Sequence, residues 1–178
     1  DWRAIEALLV GYFGEDPAYM RLARLGVHDF LSCHVIIKQP TQWAITKELG
    51  PPPEREELSL EEYVYLLGEW EARSETLREA VEWFKSEPPS LEMEDEKLKS
   101  YFRKVKKLFP KVRYSCKTVV HGSNYLAGIP TIARNLECSY KEAETLVAIY
   151  RDALPGIKAY QTKTLMMAHN ERKMTCPF

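Results

Sequence analysis

Apolar residues recur at helical spacing along most of the chain, and only the first few residues, "DWRAI", read as a short strand. Residues 6–13 predict a helix that ends near Gly14. The next stretch, "DPAYMRLARLG", offers Asp16 as an N-cap, Pro17 at the first helical position and Gly26 as a terminator, and so predicts a second helix. The pattern as a whole predicts a mainly α fold that begins with a strand.

The middle of the chain carries further helical patterns, separated by a proline-rich break. "VHDFLSCHVII" and "TQWAITKEL" each predict a helix, and three consecutive prolines at 51–53 follow them. Ser59 and Glu62 have the spacing of a capping box, and they open a long run of aromatic and leucine positions at helical spacing. We interpret those positions as core or as a helix–helix seam rather than as a partner-binding surface. Residues 38–92 are therefore interpreted as a helical insertion.

Composition bounds the kind of partner that the chain can have. The chain has 178 residues, of which 45% are hydrophobic, so it is long enough to bury a core. Its 25 lysines and arginines are balanced by 26 aspartates and glutamates, so any site for a polyanion must be local. Residues 97–113 carry eight cations and are the best candidate for such a contact, with a solvated helix face as the alternative.

Cysteine usage and hydropathy indicate where the protein works. The four cysteines are widely spaced and form no CxxC pair, which argues against a disulfide framework and against a structural zinc site. We therefore predict a reducing, intracellular compartment. No apolar run approaches the roughly 20 residues that span a bilayer, so no membrane partner is expected.

One predicted helix, "PKVRYSCKTVVHGSNY", carries polar side chains at intervals of four. Its polar positions fall within a sector of about 120° and are Arg113, Lys117, His121, Asn124 and Tyr125. The two cations lie near the helix start, where the helix dipole favours anions, and Tyr125 lies roughly 18 Å beyond Arg113. That length is comparable to an extended nucleoside triphosphate. Taken alone, however, the spacing also fits an ordinary solvated face.

Two motifs together give the chain a resemblance to a known family. Asp1 and Glu6 form a D-x4-E pattern where a strand would lead into a helix, and Arg113, Lys117 and Tyr125 form an R-x3-K-x7-Y helix. This resembles motif A and motif B of the family A DNA polymerases (the DNA polymerase I-like enzymes). The resemblance continues through "YLAGIPTIARNLECSYKEAETLVAIYRDALPGIKAYQTKT" and covers residues 1 to about 36 and about 105 to 178.

The resemblance implies a fold and a function. Residues 1–37 would be a palm strand with following helices, 38–92 an insertion that we cannot match, and 93–178 the fingers helices, with motif B at 110–126. The chain would be part of a DNA-directed DNA polymerase, which transfers a nucleotidyl group from a dNTP to a primer 3′ hydroxyl in replication or repair. Its partners would be primer–template DNA, dNTPs and the rest of the polymerase, in the cytoplasm or nucleoid, or in the host cell of a virus.

Carried over by position, the resemblance also implies the metal site and the sugar contact. Asp1 would be a catalytic carboxylate that holds Mg²⁺ in a two-metal site, and the backbone of Trp2 would help to bind the second ion. Mg²⁺ prefers hard oxygen ligands shared between carboxylates and substrate phosphates, so this assignment agrees with its chemistry. Glu6 would be the steric gate beneath the sugar and would favour deoxynucleotides.

The fingers residues would bind the rest of the nucleotide. Arg113 and Lys117 would hold the triphosphate, with Lys117 also catalytic, and Tyr125 would stack at the insertion site. His28 resembles a histidine that touches a phosphate, although a surface or capping histidine is an equal alternative. His121 occupies the position of a family Phe or Tyr that packs against the sugar, so the family's sugar selectivity is not transferred.

Two departures from the family pattern limit what the resemblance implies. Leu126 follows Tyr125 where the family usually has Gly. Motif C, which supplies the second metal carboxylate, is not found, and "HNE" at 169–171 is rejected because it lies within a predicted helix and has Asn for Asp. We therefore expect the chain alone to be incomplete and inactive. The alternative is a noncatalytic helical nucleic-acid-binding or assembly protein derived from the same fold, and a helical interaction domain with chance motifs is a third hypothesis.

Overall fold

The computed structural model describes the backbone of residues 2–171, with side chains from residue 7 onward except 163, 164, 167, 168, 170 and 171. Over that range the chain forms ten helices and no strand. The helices are α1 (Trp2–Phe13), α2 (Pro17–Leu25), α3 (Val27–Lys38), α4 (Thr41–Leu49), α5 (Leu60–Ser86), α6 (Asp95–Leu108), α7 (Pro110–Asn124), α8 (Ile129–Leu136), α9 (Tyr140–Ala153) and α10 (Pro155–Glu171). The predicted mainly α class is confirmed.

The strand predicted for the first residues is wrong in the described part of the chain, because α1 already begins at Trp2. Six of the 12 residues of "WRAIEALLVGYF" are alanine, leucine, arginine or glutamate, which favour a helix. A strand would also need another strand to pair its backbone groups, and residues 2–171 supply none. Asp1 lies outside the described residues.

Helix boundaries follow the capping residues of the sequence closely. At α2, the Asp16 side chain accepts a hydrogen bond from the Tyr19 N–H at 2.9 Å, and Gly26 ends the helix with φ 144°. At α5, the Glu62 N–H donates to Ser59 Oγ at 3.3 Å, and the Ser59 N–H donates to Glu62 Oε2 at 3.1 Å. Both predicted helix starts are therefore confirmed by the geometry that the sequence implied.

The chain divides into two compact units. We call residues up to 28 together with those from 117 onward the terminal unit, and residues 29–116 the central unit. Each is described by itself. The three-part division implied by the family resemblance, at 1–37, 38–92 and 93–178, stays a prediction.

The core of the central unit is aromatic. Phe84 lies between Tyr101 and Phe109, with ring centroids 5.8 and 6.1 Å away, and all three side chains are buried. The Tyr101 hydroxyl donates to the Glu87 carbonyl at 2.8 Å. Each buried aromatic ring contributes about 1.5–3 kcal/mol of transfer free energy, so this cluster stabilises the packing of α5 against α6 and against Phe109, the residue between α6 and α7.

The long helix α5 is buried along only part of its length. Its C-terminal half contributes Leu77, Val81 and Phe84 to the core. In its N-terminal half, Val64 is 59% exposed and Tyr65 is 64% exposed. The interpretation of the apolar run as core or seam is thus wrong for these exposed positions, whereas Tyr63, Leu67 and Trp70 of the same half are half-buried.

Several glycines of the terminal unit lie where helices pack closely, and Gly122 of α7 is one of them. In this unit α1 packs against α2 and α10, and α9 packs against α8 and α10. A Cβ atom on Gly122 would lie 3.0 Å from Cγ1 of Ile132, a buried side chain of α8. A larger residue at Gly122 would require the Ile132 side chain to shift by a few tenths of an ångström, so close packing favours glycine inside α7.

Candidate functional site

The helix predicted for the motif B segment is present as α7, and a residue in a left-handed conformation follows shortly after its end. Tyr125 follows the last helical residue, and Leu126 has φ 58°, a left-handed conformation that glycine adopts without cost. The Ala127 N–H then donates to the Gly122 carbonyl at 2.8 Å, which closes the helix end. Leu126 thus stands where the backbone itself favours glycine, the residue that the polymerase family usually has there.

The first turn of α7 is already occupied by a carboxylate. Glu48 of α4 accepts hydrogen bonds from the N–H groups of Val112 at 2.7 Å and Lys111 at 3.2 Å. Burial raises the pKa of Glu48, and the two amide donors oppose that rise. The sequence argument that the helix start attracts a phosphate is therefore wrong for these two amides, and attraction must come from side chains.

Arg113 forms an ion pair that the sequence did not predict. Its Nε donates to Oδ1 of Asp29 at 2.5 Å, and Nζ of Lys106 lies 3.3 Å from the other carboxylate oxygen. Asp29 is only 1% exposed, so both cations compensate a buried charge. The charge of Arg113 is thus engaged within the central unit, and its predicted role in triphosphate binding stays a prediction.

Three of the predicted substrate-binding residues meet at a pocket of the terminal unit. The rings of His28 and His121 stack, with centroids 5.2 Å apart and an angle of 22° between their planes. Together with Tyr125, which is 68% exposed, they line a cavity of about 190 Å³. The remaining lining residues are Ala7, Leu9, Val10, Val120 and Asn124. His28 is therefore a pocket residue, and no local sequence signal predicted its stack with His121.

Asn124 fixes one side of this pocket. Its Nδ2 donates to the Tyr19 hydroxyl at 2.9 Å, and the Tyr150 hydroxyl donates to its Oδ1 at 2.8 Å. Both tyrosines are buried, and burial raises the pKa of each, so both keep their hydroxyl protons. Sequence reasoning placed Asn124 on the polar face of α7, whereas its amide also joins three helices of the terminal unit.

The remaining predicted site residues are Lys117, whose side chain is described, and Asp1, Trp2 and Glu6, whose side chains are not. Lys117 is exposed on α7, one turn before His121. Trp2 and Glu6 lie in α1, but their side chains are outside the description, as is the whole of Asp1. Among the described residues no group of three or more His, Cys, Asp or Glu side chains is arranged to hold a metal ion. The Mg²⁺ site at Asp1 and the Trp2 backbone therefore stays a prediction.

The size and lining of the pocket limit what it can take. Pockets that enclose a whole small molecule usually measure about 300–1,000 Å³, so this one fits a part of a ligand such as a sugar or a base. Two imidazoles and a phenol over an aliphatic wall can stack on a planar ring and hydrogen-bond to a hydroxyl. An anionic part of the same ligand would need a cation outside the pocket, and Lys117 is exposed within the same unit.

Comparison of the chain with protein-family models, with curated proteins and with solved structures finds no match. None of the helices in residues 2–171 is both long and apolar enough to cross a membrane.

Proposed function

We propose that the chain is part of a family A DNA-directed DNA polymerase, whose α7 binds the incoming dNTP for transfer to a primer 3′ hydroxyl. The observation that supports this most is the pocket shared by His28, His121 and Tyr125. The family resemblance selected these residues from two distant parts of the sequence for the same ligand. Their meeting at one pocket of the terminal unit is what that shared role requires.

The nucleotide would lie along α7. Tyr125 stacks on the base, and His121 contacts the sugar, with His28 stacked behind it. Lys117 lies about 6 Å further toward the helix start, at four residues of 1.5 Å each, where it meets the phosphates as a point charge. We assign the phosphates to Lys117 because the charge of Arg113 is compensated by the buried Asp29.

Magnesium, when bound, would neutralise phosphate charge and activate the primer hydroxyl. Its expected ligand Asp1 lies outside the described residues, so the steps assigned to Lys117, His121 and Tyr125 are binding and orientation only.

Calorimetric titration with dTTP and with thymidine tests the nucleotide site. Lys117→Ala should weaken dTTP binding by about tenfold or more, since a hydrogen bond to a charged group contributes about 1.5–3 kcal/mol, and should leave thymidine binding unchanged. Tyr125→Ala should weaken the binding of both ligands. The matched control is Lys141→Ala, because Lys141 is an exposed lysine of α9 in the same unit.

Equal dTTP affinity in Lys117→Ala and Lys141→Ala would exclude the proposed site and would favour a helical interaction domain with chance motifs. Nucleotidyl transfer itself is measured by extension of a labelled primer on a template, with this chain and with any longer natural protein that contains it. Failure of the longer protein to extend the primer would contradict the polymerase assignment, and extension at the wild-type rate in Lys117→Ala would contradict the role of Lys117.

A further inference from the structure

The positive charge of the chain is concentrated in one segment of the central unit. Residues 97–113 carry eight of the 25 lysines and arginines and none of the 26 acidic residues. The rest of the chain therefore has 17 cations against 26 acids and is acidic as a whole. Such a local basic region within an acidic chain is the electrostatic pattern of a polyanion contact.

Five of these eight cations already interact with other side chains. Lys97 pairs with Glu87, Lys99 with Glu96, both Lys106 and Arg113 with Asp29, and Lys104 lies 3.6 Å from the centre of the Trp83 ring. The remaining three, Arg103, Lys107 and Lys111, are exposed and form no ion pair with a described acidic residue. Arg103 still interacts electrostatically with Glu96, and Lys111 with Glu48, but neither interaction is an ion pair at contact distance.

These three cations follow each other at intervals of four residues. On α6, Arg103 and Lys107 lie about 6 Å apart along the axis, on the side opposite the buried Phe102 and Val105. Lys111 follows four residues later in the sequence, at the start of α7 and beyond the non-helical Phe109, and Tyr114, which is 65% exposed, lies about one turn further along α7. We call Arg103, Lys107, Lys111 and Tyr114 the basic strip.

A cavity beside the strip brings in one more cation. Arg73 of α5 and Lys107 line a cavity of about 220 Å³ in the central unit, together with the hydroxyl-bearing Thr76. Glu48 also lines it, but that carboxylate is held by the two backbone amides at the start of α7. Because Arg73 and Lys107 line the same cavity from two different helices, a phosphate that enters it would meet two cationic side chains.

We infer that the basic strip binds single-stranded nucleic acid, with phosphates on its cations and one unpaired base stacked on Tyr114. An exposed aromatic ring in a row of cations is how proteins hold single strands without reading sequence. A base inside a duplex is not available for such stacking. This inference rests on the proposed function for the choice of a nucleic acid as the polyanion.

Fluorescence anisotropy with a labelled oligothymidylate tests the strip. For single strands, log K falls with log[salt] by about 0.7 per phosphate neutralised, so three cations should give a slope contribution of about −2. The triple variant Arg103→Gln, Lys107→Gln, Lys111→Gln should lose that contribution. The control is a triple variant that removes three exposed cations of the terminal unit, and it should keep the wild-type salt slope. Its substitutions are Lys141→Gln, Arg151→Gln and Lys158→Gln.

The stacking part is tested separately. Tyr114→Leu should weaken oligothymidylate binding by about fivefold or more, because stacking of one base contributes at least about 1 kcal/mol. Binding of a blunt duplex of the same length should not change. The control is Tyr65→Leu, since Tyr65 is 64% exposed on α5 of the same unit.

Wild-type affinity and salt slope in the strip triple variant would overturn the inference, and so would equal losses in the strip and control triples. An effect of Tyr114→Leu on the duplex but not on the single strand would overturn the choice of partner. The nucleotide site fails separately. If dTTP binding does not depend on Lys117 while oligothymidylate binding still depends on the strip, the proposed function is wrong and the strip stands. If dTTP binding depends on Lys117 but oligothymidylate binding does not depend on the strip, the inference about the strip is wrong and the proposed function stands.

Discussion

Replacing Asn124 with alanine should destabilise the terminal unit by about 2 kcal/mol. The substitution removes two hydrogen bonds to buried tyrosine hydroxyls, and each such bond contributes about 0.5–1.5 kcal/mol. Tyr19 and Tyr150 are 0% and 1% exposed, so water does not readily take the place of the amide.

Urea unfolding followed by far-ultraviolet circular dichroism measures this loss. The matched control is Asn135→Ala on the exposed side of α8 in the same unit. A surface change of this kind should stay within about 0.5 kcal/mol of wild type. The comparison separates loss of the buried amide contacts from the general effect of placing alanine in a helix.

A double-mutant cycle then identifies the partner. Tyr150→Phe removes the hydroxyl that donates to Asn124 Oδ1 and keeps the ring, so the cycle with Asn124→Ala isolates that contact. Residues in direct contact usually show a coupling of about 0.5–3 kcal/mol. A coupling of zero, or an Asn124→Ala variant as stable as Asn135→Ala, would refute the assignment of Asn124 as the bridge between the tyrosines.

Three further substitutions have defined expectations. Burial and then the charge of Lys38 lower the pKa of His34 from 6.5 to about 4, so the unfolded state binds more protons below pH 6.5. Between pH 6.5 and 4 the free energy of unfolding of the wild type should therefore fall by at most about 3 kcal/mol because of His34, and the fall should be smaller in His34→Gln. Equal pH dependence of the free energy of unfolding of the two proteins, measured by urea unfolding, would contradict this. Asp29→Asn should lower the free energy of unfolding by about 1.5–3 kcal/mol, whereas Glu56→Gln, at an exposed carboxylate of the same unit, should not; equal melting temperatures of the two variants would refute the buried ion pair. Leu126→Gly should raise the free energy of unfolding by about 1 kcal/mol, because glycine adopts the left-handed conformation without strain. A lower midpoint of urea unfolding would show that Leu126 is not strained.

Helix starts and ends were predictable where a few neighbouring residues determine them. Asp16 and Gly26 bound α2 as expected because capping and left-handed termination depend on chemistry within one turn. The Ser59 and Glu62 capping box is another local feature. The initial strand was wrong, because a strand depends on a partner that a short sequence window does not contain.

Contacts between distant residues were not predictable from periodicity. Asp29 and Arg113 lie 84 residues apart, and nothing near either residue indicates the other. The stack of His28 on His121 is of the same kind. Motif spacing selected both histidines as separate ligand residues, but only the fold shows that they share a pocket wall. The fold also places the His28 ring against His121, at the position where the polymerase family usually has Phe or Tyr.

The long-range cap on α7 also constrains the order in which the chain can fold. Phe109 precedes Pro110 and is apolar, so the helix start has no capping side chain there, and Glu48 completes it from 63 and 64 residues away. Closing a loop of that length costs about 3–4 kcal/mol of chain entropy, which the assembled core must first offset. The first turn of α7 should therefore form after α4 has docked. Hydrogen exchange at the Lys111 and Val112 amides would then report the docking of α4 rather than the fraying of α7.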